Sequence, residues 1–352
     1  MIRNNTGVKM NIRKFFNIFR VNKSISIDLG TANILIYDKQ RKKVVLNEPS
    51  VVALDKKTRK VIAVGRQARE MLGKTPDSIE AIKPLREGVI ADLDVTRDML
   101  DHFIKNIYGY GLFKPEIIIC VPLEVTSVER KALFDSVMGA KKIYIIEEGR
   151  AAIIGSGIDI SKPNGNMVVD IGGGSTDIAI LSLNEIISSK SIKVAGNTFD
   201  TDIVRYIKNK HNLLIGERAA EAIKKNLANA IKVENPEKMT IKGLNLQFGI
   251  PASIEIDENE INDAIYHSLM DIVNSTKEVL EKCPAELASD ILDNGVVMTG
   301  GGSLIKNFTK LLENHIKVKV YISNNPLDSV VLGGGLAFEN KKLLKTLQMK
   351  EI

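Results

Sequence analysis

"MVVDIGGGSTDIAILS" occupies Met167–Ser182. An apolar strand runs into Asp170, is interrupted by Gly172, Gly173 and Gly174, and resumes as a second strand after Ser175 and Thr176. Glycines let the backbone approach a neighbour closely, and amide N–H groups in such a turn converge on phosphate oxygens. Two more Gly-rich turns occur, "DLGTAN" at Asp28–Asn33 and "TGGGSL" at Thr299–Leu304. The first two run strand, turn, strand. A dinucleotide fingerprint would instead open a helix, and the G-x-x-x-x-G-K-[ST] pattern of a P-loop is missing. Two such hairpins in two similar halves predict a clamp on one polyphosphate from both sides. Asp28 and Asp170 each end a strand beside a turn. Taken singly, each suits a cap on its own turn. Taken as a matched pair across a phosphate chain, they suit the water shell of Mg²⁺, a hard ion that keeps its hydration.

Strands and helices alternate along the rest of the chain, which favours an α/β fold. "EIIICVP" reads as a strand of a sheet covered on both faces. "TRDMLDHFIKNIYG" carries Met99, Leu100, Phe103, Ile104 and Ile107 at helical spacing. Thr126 and Glu129 form a capping box for "SVERKALFDSVMG". "FDTDIVRYIKNKHN", "GERAAEAIKKNLANAI" and "NEINDAIYHSLMDIVNSTKEVLEKC" read as further helices. A second unit opens near Gly165 and mirrors the start at Ser24. The expected organisation is a tail over residues 1–23, a first domain over 24–164 and a second over 165–352. A C-terminal segment is expected to return to the first.

The chain has 352 residues, 44% of them apolar, enough for two packed cores. No apolar run is long enough to span a bilayer, and the first residues lack the pattern of a secretory signal. Cys120 and Cys283 are the two cysteines, with no metal-ligand spacing, which favours a reducing compartment. The net charge of +6 is located in the tail: Arg3, Lys9, Arg13, Lys14, Arg20 and Lys23 have no acid among them. The remainder is balanced, which argues against a nucleic-acid partner. Ile12, Phe15, Phe16 and Phe19 recur at helical spacing opposite those cations. That pattern favours an interfacial helix on an anionic membrane over protein docking or a disordered tail.

"IDLGTAN", "NEPSVVA", "MLGKTP", "GVIAD", "VTSVERKA", "NMVVDIGGGSTD", "IGERAAEAIK" and "VVMTGGGS" resemble, in content and order, the MreB family of bacterial actin-like filament proteins. That family lies within the actin/Hsp70/sugar-kinase superfamily, and the resemblance runs from Ser24 to the C-terminus. It implies an actin-like ATPase fold of two duplicated RNase H-like domains, four subdomains in all, around a nucleotide cleft. It also implies ATP/ADP with Mg²⁺, antiparallel double protofilaments, and a cytoplasmic protein peripheral on the inner face of the cell membrane. Paralogous filament proteins or membrane-embedded shape proteins are further implied partners. By the same resemblance Gly30, Thr31, Ala32 and Asn33 form the first phosphate loop, and Gly172, Gly173 and Gly174 the second. Glu221, Ala222, Ile223 and Lys224 approach the nucleoside, and Gly300, Gly301, Gly302 and Ser303 close over it. Leu112 and Phe113 occupy a loop that in comparable proteins touches lipid.

Hydrolysis requires a water in line with the γ-phosphate and neutralisation of the leaving oxygens. Glu148 resembles the family's water-activating glutamate. Ser175 and Thr176, with Asp28 and Asp170, complete the implied catalytic set. Glu147 is expected to pair with a base. The surroundings depart from the family: "EEGRAA" stands for "EEPMAA", Ser175 for threonine, Asp177 for glutamate and "GNTFD" for "GDEMD". Gly149 is expected to loosen the backbone beside Glu148, and Arg150 to bring a cation near it. Slow ATPase activity coupled to polymerisation is therefore the leading expectation. The alternatives are a non-polymerising nucleotide-dependent regulator and a small-molecule kinase of the same superfamily. A chaperone-like ATPase would carry a further substrate domain, and the chain ends soon after "VVLGGGLAFEN".

Overall fold

The computed structural model describes residues 23–109, 114–137 and 139–347. Ile12, Phe15, Phe16, Phe19, Leu112 and Phe113 lie outside them. No helix among the described residues is long and apolar enough to cross a membrane.

The first half runs β1 (Ser24–Leu29), β2 (Asn33–Asp38), β3 (Lys43–Pro49), β4 (Val52–Asp55), β5 (Val61–Val64), α1 (Gly65–Met71), β6 (Ile79–Ile82), β7 (Leu85–Arg86), β8 (Val89–Ile90), α2 (Leu93–Tyr108), β9 (Glu116–Val121), α3 (Ser127–Ser136), β10 (Lys142–Glu147) and α4 (Glu148–Gly155). The second runs β11 (Asn166–Ile171), β12 (Thr176–Ser182), β13 (Glu185–Ile192), α5 (Gly196–His211), β14 (Leu213–Leu214), α6 (Glu217–Leu227), β15 (Lys238–Asn245), β16 (Ile250–Asp257), α7 (Glu258–Glu281), α8 (Ala285–Asn294), β17 (Val296–Thr299), α9 (Phe308–Ile316), β18 (Val320–Ile322), α10 (Ser329–Ala337) and α11 (Lys341–Leu347).

The two halves repeat one sheet. The orders are β10-β9-β1-β2-β3 and β13-β12-β11-β17-β18. In each, a central strand pairs antiparallel with the strand after its glycine turn and parallel with a later one, β1 with β2 and β9, β11 with β12 and β17. Both antiparallel meanders carry an irregularity in their second pairing, between Ile36 and Tyr37 in the first and, two positions further along, between Ile180 and Leu181 in the second. Each half also inserts a small three-stranded sheet between its third and fourth main-sheet strands, β5-β4-β6 and β14-β15-β16. This is the actin-like architecture of two sheets facing one cleft.

Covering both faces makes the central strands apolar throughout. Ile25, Ile27, Ile117 and Ile119 enter one core with Met99, Leu100 and Phe103 of α2. Ile118, Cys120, Tyr144 and Ile146 enter another with Ala151, Ile153, Val330 and Phe338. Each of the isoleucine, leucine, methionine, valine and phenylalanine side chains among them contributes about 1.5–3 kcal/mol on burial. Helix α2 begins at Leu93, three residues before the expected Thr96, because the Asp92 side chain accepts from Val95 N–H. The Thr126–Glu129 box is formed, with Glu129 N–H donating to Thr126 Oγ1 at 3.2 Å.

Two chain segments join the halves, and they touch. Helix α4 follows β10 and leads into β11, while α10 follows β18 and packs on β1, β2 and β9 of the first sheet. A Cβ on Gly155 would overlap the carbonyl of Ser329, and one on Gly333 that of Ala151. Only glycine at both positions lets these two backbones meet.

Candidate functional site

Both strand-ending glycine turns open onto one cavity of about 500 Å³ between the halves. The turns themselves are almost in contact: a Cβ on Gly173 would lie 2.7 Å from Ala32 Cβ. The second turn is closed by Gly172 N–H donating to Ser175 O at 3.0 Å. Helix α5 starts against it, with Gly196 and Asn197 N–H donating to the Gly172 and Gly173 carbonyls at 3.1 and 2.8 Å. Thr31 in the first turn is buried, and its Oγ1 accepts from Gly88 N–H at 2.9 Å. Gly300 has φ +77°, and its N–H donates to Pro326 O. A Cβ there would lie 2.7 Å from Asp170 Oδ1, so the third turn presses on the acid one residue before the end of β11.

Asp28, Gly30, Thr31, Ala32, Asn33, Glu148, Asp170, Gly172, Gly173, Gly174, Ser175, Glu221, Lys224, Gly300, Gly301 and Gly302 line this cavity together. Four expected residues do not. Thr176 is fully buried, and its hydroxyl donates to Val194 O at 2.6 Å, so it ties β12 to the segment before α5. Strand alternation explains this, because Ser175 and Thr176 face opposite ways. Ile223 is on the core face of α6 with Ala220 and Leu227. Ala222 is exposed, and its carbonyl accepts from Asn226. The Ser303 hydroxyl is buried against Gly300 O at 2.7 Å and braces the third turn rather than the cavity.

The neighbourhood of Glu148 also differs from expectation. Gly149 is helical, in the first turn of α4, and a Cβ there would lie 3.2 Å from Ala179 Cβ. It permits close packing on β12 rather than loosening the backbone. Arg150 is buried and points to Glu147, Nε to Oε2 at 3.2 Å, with Glu185 at 3.6 Å. Its cation is thus used by Glu147, the acid expected to pair with a base.

Buried acids dominate the cavity floor. Burial raises Glu148, and the nearby charges of Asp177, Asp28 and Asp170 push it in the same direction. Burial likewise raises Asp170, with Asp177 and Asp28 adding to it. Burial pushes Asp28 up to about 7, with Asp328 contributing. Asp170 Oδ1 is buried without a hydrogen-bond partner. Such an acceptor beside a second carboxylate fits a hard cation. Among the described residues no group of three or more His, Cys, Asp or Glu side chains forms an all-protein metal centre. Asp28 and Asp170 therefore suit an ion that takes its other ligands from water and phosphate.

The raised acids give a pH dependence of stability. Between its ordinary value of 3.8 and about 7, folded Asp28 holds a proton that the unfolded chain has released. Stability then falls as pH rises through that window. The melting temperature of the nucleotide-free protein is expected to be a few degrees lower at pH 8 than at pH 6. Asp28→Asn should flatten that difference in a thermal-shift series, and an equal slope in both proteins would refute the assignment.

Several lining residues were not legible in the sequence. Arg69 of α1 forms an ion pair with Glu221 of α6, and Lys83 reaches Glu217 at 2.7 Å. These pairs bridge the two halves at the cavity wall. Lys225 also meets Glu221 at 2.7 Å. Although burial opposes it, Lys225 and Arg69 hold Glu221 below the usual carboxylate range. Lys224 Nζ donates to Gly196 O at 2.7 Å and pairs with Asp200 at 2.8 Å. It therefore links α6 to the phosphate-turn side of α5. Lys306, held by Glu237 and buried Glu258, also lines the cavity.

Comparisons with known proteins bear on this geometry. The family described as MreB/Mbl protein matches residues 22–346. The cell shape-determining protein Mbl of Bacillus subtilis (strain 168) is 49% identical over 321 residues, 90% of this chain and 96% of that protein. The cell shape-determining protein MreB of Escherichia coli (strain K12) is 43% identical over 336 residues, 93% of this chain and 96% of that protein. The crystal structure of MreB 5 of Spiroplasma citri bound to AMPPNP superposes with a TM-score of 0.87 at 38% identity. It covers 93% of this chain and 99% of that one. A MamK double helical filament shares the fold at 20% identity and a TM-score of 0.77, over 91% of this chain and 99% of that one. With its duplicated sheets, its facing glycine turns and these relatives, the chain belongs to the MreB/Mbl family.

Proposed function

We propose that this chain is an ATP-dependent, membrane-associated filament protein of the cytoplasm that controls cell shape or movement and hydrolyses ATP slowly. The observation that carries the nucleotide reading is the approach of Ala32 and Gly173, two phosphate-type turns from two copies of one sheet, over buried Asp170. A triphosphate between them would be held by backbone N–H groups from both sides. Relatives support the nucleotide, since MreB 5 of Spiroplasma citri has been crystallised with AMPPNP and with ADP. The shape role is supported by the Mbl and MreB relatives named as cell shape-determining.

The chain's own residues would share the work as follows. Gly30–Asn33 and Gly172–Gly174 cradle phosphate oxygens. Lys224 and Glu221 border the nucleoside side, and Gly300–Gly302 cover it. Mg²⁺, held through water by Asp28 and Asp170, would neutralise phosphate charge. Glu148 orients the attacking water, and Ser175 offers a hydroxyl next to it. Glu148 retains a proton more readily than an ordinary glutamate in the empty cleft. Cation charge near Asp28 and Asp170 would favour its ionised form.

Arg69 is expected to hold the cleft shut at the nucleoside end. The Arg69–Glu221 pair is partly exposed, so its worth is modest. Arg69→Ala should speed release of a fluorescent ADP about two- to fivefold in stopped flow, with less salt sensitivity than the parent.

Self-association into double protofilaments and attachment through the basic tail complete the reading. Weak single-helix membrane affinities would be multiplied along a filament. The test is electron microscopy of the full chain on anionic liposomes with ATP, ADP or no nucleotide. Repeating it without residues 1–20 tests the tail. Filaments on vesicles with ATP are expected. Absence of filaments in every condition would overturn the filament reading, and unchanged decoration without the tail would overturn the role of the tail.

A further inference from the structure

The stretch "GNTFD", Gly196–Asp200, opens α5 beside the second phosphate turn. Where the family pattern "GDEMD" has two acids, this chain has Asn197 and Thr198, and α5 carries no acid in its first turn. The two residues are used differently. Thr198 Oγ1 accepts from Ala195 N–H at 3.2 Å, so its hydroxyl is committed to starting the helix. Asn197 lines the cavity between the halves, and Thr198 does not. Asn197 is half-buried, and its carboxamide makes no hydrogen bond to any described residue.

The backbone fixes where that side chain stands. Gly196 and Asn197 N–H donate to Gly172 O and Gly173 O at 3.1 and 2.8 Å. These first amides of α5 are occupied, so the helix start is not itself an anion site. Gly173 in turn abuts Ala32 of the first turn. Asn197 is thus bonded to one side of the closest approach between the two phosphate turns, with its side-chain amide left free.

The charges around it give an uncharged donor its value. Asp28, Asp170 and Glu148 line the same cavity, and burial raises all three. Most of the lining cations are already engaged by acids: Lys224 by Asp200, Arg69 and Lys225 by Glu221, Lys83 by Glu217 and Lys306 by Glu258. A carboxylate at 197 would set one more negative charge beside the phosphates, in a partly enclosed site where salt screens it poorly. A carboxamide offers two N–H donors and no charge.

We infer that the Asn197 carboxamide donates to a phosphate oxygen of the bound nucleotide, and that an amide there in place of a carboxylate lessens the dependence of binding on Mg²⁺. This contact presupposes the nucleotide reading proposed above. Mg²⁺ still strengthens binding through Asp28 and Asp170, but it has no acid at 197 to offset.

The experiment measures dissociation constants for AMPPNP on the full chain, in Mg²⁺ and in EDTA, by competition against a fluorescent nucleotide. The proteins are the parent, Asn197→Ala, Asn197→Asp and Thr198→Glu, each with its melting temperature recorded without nucleotide. Asn197→Ala loses the donor and is expected to weaken binding about two- to fivefold in both conditions. Asn197→Asp is expected to weaken it about two- to fivefold in Mg²⁺ and about twentyfold or more in EDTA, so the EDTA-to-Mg²⁺ ratio rises about fourfold or more. An acid in the first turn of a helix favours the fold, so that loss is not a folding defect. Thr198→Glu places the same charge on the same turn but off the cavity wall, and is expected to stay within about twofold of the parent in both conditions. An Asn197→Ala protein that binds as the parent does would overturn the contact. An Asn197→Asp ratio equal to the parent's, or one matched by Thr198→Glu, would overturn the link to Mg²⁺. Either result leaves the nucleotide reading intact, whereas a parent that binds no nucleotide in either condition would overturn that reading as well.

Discussion

Glu148→Gln is expected to lower single-turnover phosphate release by about 10²–10³-fold while changing ATP affinity less than twofold. General-base assistance is worth that much when its geometry is good. Glu148 begins α4 at the end of β10, so strand and helix both fix its backbone. It lines the same cavity as Thr31 and Ser175 but lies on neither glycine turn. Removing its charge should therefore affect the water more than the phosphate grip. Glutamine keeps the shape and leaves the Arg150–Glu147 pair in place. Arg150→Met should by contrast leave the cleavage rate nearly unaltered, because its guanidinium faces Glu147 and Glu185. Equal losses in the two variants would mean that the effect at 148 is structural.

Gly173→Ala is expected to weaken nucleotide binding about 10- to 100-fold with little change in the melting temperature of the empty protein. The added methyl meets Ala32 Cβ at 2.7 Å and Ala32 N at 3.1 Å. Overpacking of that kind costs about 1–3 kcal/mol when the neighbours cannot move. Both atoms belong to Ala32, which has no rotamer to move aside, so relief requires the hairpins to part. An empty cleft can part, whereas one closed on a polyphosphate cannot. Ala32→Gly in the same protein removes the clashing Cβ and should recover part of the lost affinity, a non-additive signature of contact. Fluorescent nucleotide titration of the two singles and the double measures it. Additive losses would mean that the turns do not meet in the bound form.

The two hairpins were legible because a break of glycines in an apolar strand is a local feature, and so was the repeat, since it recurs in one register. The start of α5 was not. It begins at Gly196, three residues before the expected Phe199, because Gly196 and Asn197 donate to carbonyls of the distant glycine turn. The Arg69–Glu221 bridge joins residues 152 positions apart and leaves no trace in either local pattern. Thr176, Ala222 and Ile223 are instructive in the opposite sense. Strand alternation and helical periodicity already separated them from Ser175, Glu221 and Lys224, but assigning motifs as contiguous blocks concealed it. Arg150 could not be oriented from sequence, because Glu147 and Glu148 are adjacent and only the fold chooses between them.

The glycine-to-glycine meeting of α4 and α10 acts as a fulcrum. With both linking helices pinned at one spot, rotation of the lobes about that spot would be easier than sliding, and displacement would grow with distance from the pin. A sub-ångström adjustment where phosphates sit would then become a larger sweep at the far hairpin of β15 and β16. Its tip presents Phe248 and Ile250 at 67% and 57% exposure. Such gearing would carry chemistry at the centre to the periphery, where a neighbouring subunit would register it.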